Sequence, residues 1–232
     1  MGIMDAIKVR KAIALQQKGN LDEAMAEYEK LYSQNILDAG YLLPYTVLLL
    51  KSRKEENYQK VKDILKAIEK LPNLSQSQKQ QIHLNYACAQ YKLGHLPEAI
   101  HLLEASHQKA PCGNTYEALG YFYIEANDAE KGLPYNLEAL DYDDEDPIVY
   151  DNLGQLYYRV IGDKEKALTY FQKAHELKES QIDTLYFLSL YDIENGDLEA
   201  AQEKLKQAQE GRFSPLNYAT PEMIEAKLKE IA

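Results

Sequence analysis

The side chains of this chain that could do chemistry are five histidines, two cysteines and a dense run of carboxylates. A metal site needs three or four ligands that converge. His101 and His107 stand six positions apart, and His83 and Cys88 five, so neither pair shares one face of a helix. With His95 and His175 they read as ordinary core or surface residues. Cys88 and Cys112 form no CxxC pair, which points to free thiols in a reducing compartment. The run Asp141-Tyr-Asp143-Asp144-Glu145-Asp146 alternates acids as a calcium loop does, but it lacks the central glycine and the closing glutamate. It reads as a solvated loop whose last acids sit at the start of a helix, where negative charge is favourable. No G-x-S-x-G elbow, P-loop, Rossmann glycine fingerprint or H-E-x-x-H pair occurs. The expectation is a non-enzymatic protein with no catalytic residue, no metal and no cofactor.

Charge narrows the partners. Lys and Arg number 26 against 37 Asp and Glu, a formal charge of −11, which repels phosphate backbones and anionic headgroups. Nucleic acid and membrane are therefore excluded as expected partners, and a basic or amphipathic peptide is favoured. Hydrophobic residues at 45% and charged residues at 27% suit a folded soluble chain. The most apolar run, Tyr41 to Leu50, is interrupted by Pro44 and Thr46 and is too short to span a bilayer. The start, Met-Gly-Ile-Met-Asp-Ala, has no secretion signal, and Ala6 stands where a myristoylation signal wants Ser or Thr. A cytoplasmic location is expected. Tyrosine is abundant, 19 against 4 Phe and no Trp. Such a composition suits half-buried positions, with the ring packed and the hydroxyl reaching polar surroundings.

The elements that position these residues repeat. Tyr116-Glu-Ala-Leu119-Gly120-Tyr-Phe-Tyr123 and Tyr150-Asp-Asn-Leu153-Gly154-Gln-Leu-Tyr157 share one spacing of Tyr, Leu, Gly and Tyr. The second runs on into Gly162-Asp-Lys-Glu-Lys-Ala167-Leu-Thr-Tyr-Phe171-Gln-Lys-Ala174. This pattern resembles the tetratricopeptide repeat, with Tyr in place of the usual Trp at the first position. Gly19-Asn-Leu21-Asp-Glu-Ala24, Gly94-His-Leu96-Pro-Glu-Ala99 and Gly196-Asp-Leu198-Glu-Ala-Ala201 open further second helices in phase. The small residues Ala24, Val61, Ala99, Gly132, Ala167 and Ala201 recur at intervals of 37, 38, 33, 35 and 34. Facing small residues on the first helices are Ala12, Ala87, Gly120, Gly154 and Ser189. The expected fold is all-α: a right-handed superhelical solenoid of about six helical hairpins near 5–38, 42–75, 80–112, 113–146, 147–181 and 182–215. The solenoid covers 1–219, and a capping helix over 220–232 solvates its end.

Two copies depart from the pattern. Leu49 and Val61 take the small positions of the second, and no glycine marks its turn, so its helices should pack further apart. Gly132 and Pro134 fall inside the second helix of the fourth, where proline should kink that helix or delay its start.

The resemblance implies that the first helices line a concave, partner-binding face. On them, positions i, i+3, i+7 and i+10 share one side. The stripe takes Gln81, Leu84, Cys88 and Tyr91 from the third copy, and Asn114, Glu117, Tyr121 and Ile124 from the fourth. The fifth adds Ile148, Asp151, Gln155 and Tyr158, and the sixth adds Asp183, Tyr186, Leu190 and Ile193. Tyr121, Tyr158 and Tyr186 are the expected aromatic anchors; packing between repeats is the alternative for each. Family members that clamp a C-terminal carboxylate do so with Lys and Asn, whereas Glu117 and Asp151 would repel one. The expected function is a protein- or peptide-binding scaffold or adaptor. The second reading is a structural subunit that self-associates as a homo-oligomer through the groove or an end face.

Overall fold

The computed structural model describes residues 3–232; the reading of the Met1-Gly2 start lies outside them. Thirteen α-helices, one π-helix and no strand occur among the described residues. They are α1 (Ile3–Gln17), α2 (Leu21–Tyr32), α3 (Ala39–Lys51), α4 (Glu55–Ile68), α5 (Gln76–Lys92), α6 (Leu96–Lys109) and α7 (Gly113–Glu125). The chain continues through α8 (Ala129–Tyr142), α9 (Pro147–Gln155), a π-helix (Leu156–Ile161), α10 (Lys164–Leu177), α11 (Ile182–Glu194), α12 (Leu198–Gln209) and α13 (Pro221–Glu230). Two compact units result, one reaching to Ser106 and the other His107–Ala232. Among the described residues no helix is long and apolar enough to cross a membrane.

The local rules that build the hairpins are the ones the repeat demands. Each of the six hairpin turns holds one left-handed residue. Glycine supplies it at Gly19, Gly94, Gly162 and Gly196 (φ 82° to 84°), Arg53 at 58° and Asn127 at 55°. The second turn thus lacks a glycine but not the conformation. Every small marker residue is buried, as is every small residue facing it.

In the first unit α1 pairs with α2 and α3 with α4, while α5 packs on α3 and α4. Tyrosines pack among the aliphatic side chains of its core. Tyr28 stacks on Tyr41 with ring centroids 6.3 Å apart, and Tyr28 meets Tyr45 at 5.5 Å. The Tyr28 hydroxyl donates to Gln16 Oε1 at 2.7 Å and that of Tyr41 to the Ile36 carbonyl at 2.6 Å, so these two rings bury while their oxygens stay bonded. Asn85 Nδ2 donates to Thr46 Oγ1 at 2.9 Å and ties α5 to α3.

In the second unit α7 pairs with α8, α9 with α10 and α11 with α12, and α13 packs on α12. Phe171 and Phe187 stack at 4.8 Å between neighbouring hairpins. Gly154 lies against Phe171, whose ring would be 2.6 Å from a Cβ placed there, so only glycine fits. Helix α8 starts at Ala129 and runs through Pro134, so the expected delay does not occur. Asp128 caps it by accepting from Lys131 N at 3.0 Å, and the first turn closes with Gly132 N donating to the Asp128 carbonyl at 2.9 Å, ahead of the proline.

The π-helix answers to one extra residue. Gly154 and Gly162 are eight positions apart, whereas the matching pairs Gly120–Asn127 and Ser189–Gly196 are seven apart. The surplus is absorbed by widening the last turn of the first helix, where Gly162 N donates to the Tyr157 carbonyl at 2.8 Å.

Candidate functional site

A cavity of about 530 Å³ opens in the second unit. Glu117 and Tyr121 of α7 and Ile148 and Asn152 of α9 form one wall. Gln181, Ile182 and Asp183 at the start of α11 form the floor, and Gly211, Leu216 and Asn217, which follow α12, close the far side. Lys178 and Arg212 stand at the rim, exposed.

Local chemistry fixes each wall. Asp146 caps α9 by accepting from Ile148 N at 2.8 Å, with Pro147 in the first turn. Asn152 Nδ2 donates to the Glu117 carbonyl at 2.9 Å and clips α9 to α7. Gln181 Nε2 donates to the Pro147 carbonyl at 3.2 Å, while its Oε1 is buried and receives no donor. Gly211 lies beside Ile182, whose side chain would be 2.6 Å from an added Cβ.

The stretch after α12 is held across α11 by one carboxylate. Asp183 Oδ2 accepts from Tyr218 N at 3.0 Å and Asn217 Nδ2 at 3.1 Å, and Oδ1 accepts from Ala219 N at 2.9 Å. The Tyr218 ring stacks on Phe187 at 5.3 Å, with the Arg159 guanidinium 4.0 Å from its centroid. Arg159 comes from the π-helix. It also donates to Gln155 Oε1 at 2.9 Å and Glu125 Oε1 at 2.7 Å.

A second buried acid lies beneath. Asp151 Oδ1 accepts from Thr184 Oγ1 at 2.6 Å and Oδ2 from Gln155 Nε2 at 2.7 Å. Burial, then the Asp183 charge, pushes Asp151 above the ordinary carboxylate range. Burial also raises Asp183, against the Ala219 and Tyr218 N–H groups, which favour its ionised form. Glu117 is pushed up to about 7 by burial and then by Asp146, with the Lys178 charge pulling the other way. No donor reaches the Glu117 carboxylate among the described residues.

Of the residues expected on the binding stripe, Glu117 and Tyr121 line the cavity together, with Ile148 beside them. Asp151 and Gln155 are buried in the network below it. Tyr186 is buried, 6.2 Å from the Tyr218 ring, and Tyr158 is half-buried with its edge to Phe187 at 5.2 Å. Leu190 is half-buried against the same core, and Ile124 is buried in α7. Leu84 and Tyr91 are half-buried on α5, in the first unit. Sequence reasoning passed over Asn152, Gln181 and the stretch from Gly211 to Ala219. A signal existed for Asn152, an amide where the α7 counterpart is Ala118. None existed for the last stretch, which has no periodicity. Among the described residues no three His, Cys, Asp or Glu side chains group as metal ligands do.

The sequence model of the tetratricopeptide repeat matches residues 6–35 and 148–181. No curated protein sequence matches the chain. Solved structures do. A chain of the APC/C hetero-tetramer Cut9-Hcn1 superposes with a TM-score of 0.68 at 14% identity, over 99% of this chain and 44% of its own length. This chain thus spans less than half of that one. A thermophilic TPR protein of Thermus thermophilus gives 0.54 at 14% identity over 98% of both chains. PilF of Pseudomonas aeruginosa gives 0.57 at 16% identity over 97% of both. The helical hairpins, their small-residue contacts and these matches together show the tetratricopeptide-repeat fold, with the repeat itself matched at residues 6–35 and 148–181.

Proposed function

We propose that the chain is a non-catalytic scaffold whose second unit holds a segment of a partner protein in the cavity between α7, α9 and α11. The observation that carries this reading is the cavity itself: its volume lies within the range of about 300–1,000 Å³ usual for binding pockets, and successive hairpins supply its walls. Apolar Ile148, Ile182 and Leu216 offer contact area, while Glu117, Asn152 and Gln181 offer polar recognition. A net charge of −11 and the Glu117 carboxylate disfavour nucleic acid and a C-terminal carboxylate tail. A basic or amphipathic segment met in the cytoplasm fits better. Cut9 and Hcn1 form a hetero-tetramer, which agrees with a protein partner for a chain of similar fold.

The test is selection of a random dodecapeptide phage library on the immobilised full chain. Enriched clones should bind the wild-type chain and lose binding to Ile148→Arg, which fills the cavity, with helicity checked by circular dichroism. No enrichment, or clones that bind Ile148→Arg equally well, overturns the proposal. Light scattering over a wide concentration range examines the other occupant, a second copy of the chain; concentration-dependent dimers abolished by Ile148→Arg would replace the partner reading.

A further inference from the structure

We infer that the cavity reads a lysine or arginine side chain of the bound segment, with the Glu117 carboxylate as counter-ion and the Gln181 amide oxygen as second acceptor. This rests on the function proposed above and specifies its ligand.

The cavity holds acceptors that the chain itself leaves unmet. Three acids lie near the cavity on the first helices: Glu117, Asp151 and Asp183. Asp151 has both oxygens filled by Thr184 and Gln155, and Asp183 has both filled by the stretch after α12. Glu117 alone of the three has no donor on its carboxylate among the described residues, although it is half-buried. Lys178 acts on Glu117 only through its charge, with no hydrogen bond or ion pair between them. The second acceptor is independent of the first. Gln181 is 8% exposed, it lines the cavity, and its Oε1 is buried without a partner. Buried acceptors left unmet are costly, and the cost falls when a ligand brings donors.

The kind of donor follows from charge. A neutral hydroxyl or backbone N–H would satisfy Gln181 but leave the carboxylate's charge without compensation. Lys178 and Arg212 stand exposed at the rim, but an anion at the carboxylate itself would be repelled by Glu117 and by Asp146 and Asp143. Lysine carries three donors on one charge and arginine a fork of five, and either supplies the carboxylate and the amide together. The stretch after α12 shows the same chemistry within the chain: the neighbouring carboxylate, Asp183, collects N–H donors from a segment laid across α11, and a guanidinium rests on its tyrosine.

The phage selection tests this directly when repeated on wild type, Glu117→Gln and Glu117→Lys, each shown to be helical. The expected result is enrichment of Lys or Arg at one position on wild type and loss of that bias on Glu117→Gln. A shift toward Asp or Glu on Glu117→Lys should follow, and Kd for wild-type clones should weaken about tenfold or more on Glu117→Gln. Clones that depend on the cavity but show no basic bias sink this inference and leave the proposed function standing. If no clone enriches, the proposed function fails, and the pocket is judged by titrating N-acetyl-arginine methylamide at tens of millimolar. The 13C carboxyl midpoint of Glu117 should then move down; an unmoved midpoint overturns the inference as well.

Discussion

Glu117 costs the folded chain stability, and the sign of that cost sets a pH dependence. Its folded value, about 7, lies above the ordinary 4.5 because the carboxylate is buried near Asp146. Between those values the folded chain keeps a proton that the unfolded chain releases. Stability from this group is therefore whole below about pH 4.5 and lost as pH rises toward 7. Asp151, also raised by burial and by the Asp183 charge, adds in the same direction. Glu117→Gln should therefore raise stability by about 1–2 kcal/mol near pH 8, after allowance for solvent screening, and by almost nothing near pH 4. Urea unfolding of both chains across that pH range checks it; an equal gain at both ends would place the effect in packing. On the proposed function, that cost falls when a bound segment brings a donor to the carboxylate.

Among the elements, the hairpin turns show how a repeat tolerates sequence drift. Six turns need a left-handed residue, and four use glycine. Arg53 takes the same conformation with a side chain that disfavours it. Arg53→Gly should raise stability by about 0.5–1 kcal/mol, read as a higher urea midpoint at unchanged slope. A fall would mean that the Arg53 side chain contributes more than its backbone costs. The π-helix is the opposite case, an insertion absorbed without loss of the frame. It carries Arg159, which reaches Glu125, Gln155 and Tyr218 at once. The eight-residue spacing from Gly154 to Gly162 was visible beforehand. Its outcome was not, because an extra residue could equally have lengthened the turn.

For the whole molecule, stacking makes stability a sum over neighbours, so damage should stay local. Asp183→Ala removes three hydrogen bonds to a charged group and releases the Tyr218 and Ala219 amides. We expect a loss of about 2–4 kcal/mol in the second unit and amide exchange at Tyr218 and Ala219 faster by tenfold or more. Exchange in α3 and α4 of the first unit should not change. Uniformly faster exchange in both units would show that the chain unfolds as one body instead.

The helices, their pairing and the small residues at each crossing were legible in sequence because each is a local or next-neighbour requirement. The period of apolar positions sets the helix face, and backbone approach demands Ala or Gly. The same frame picked out Glu117 and Tyr121, since residues seven apart or fewer on one helix keep their relative direction. It could not say that Tyr186 sits beside Tyr218 while Glu117 stays open. That difference depends on Asp183 accepting three donors from a stretch some thirty-five residues on, with no periodicity to announce it. Contacts of that kind are decided by which buried acceptor finds a donor once the hairpins have stacked, and only the tertiary structure decides them.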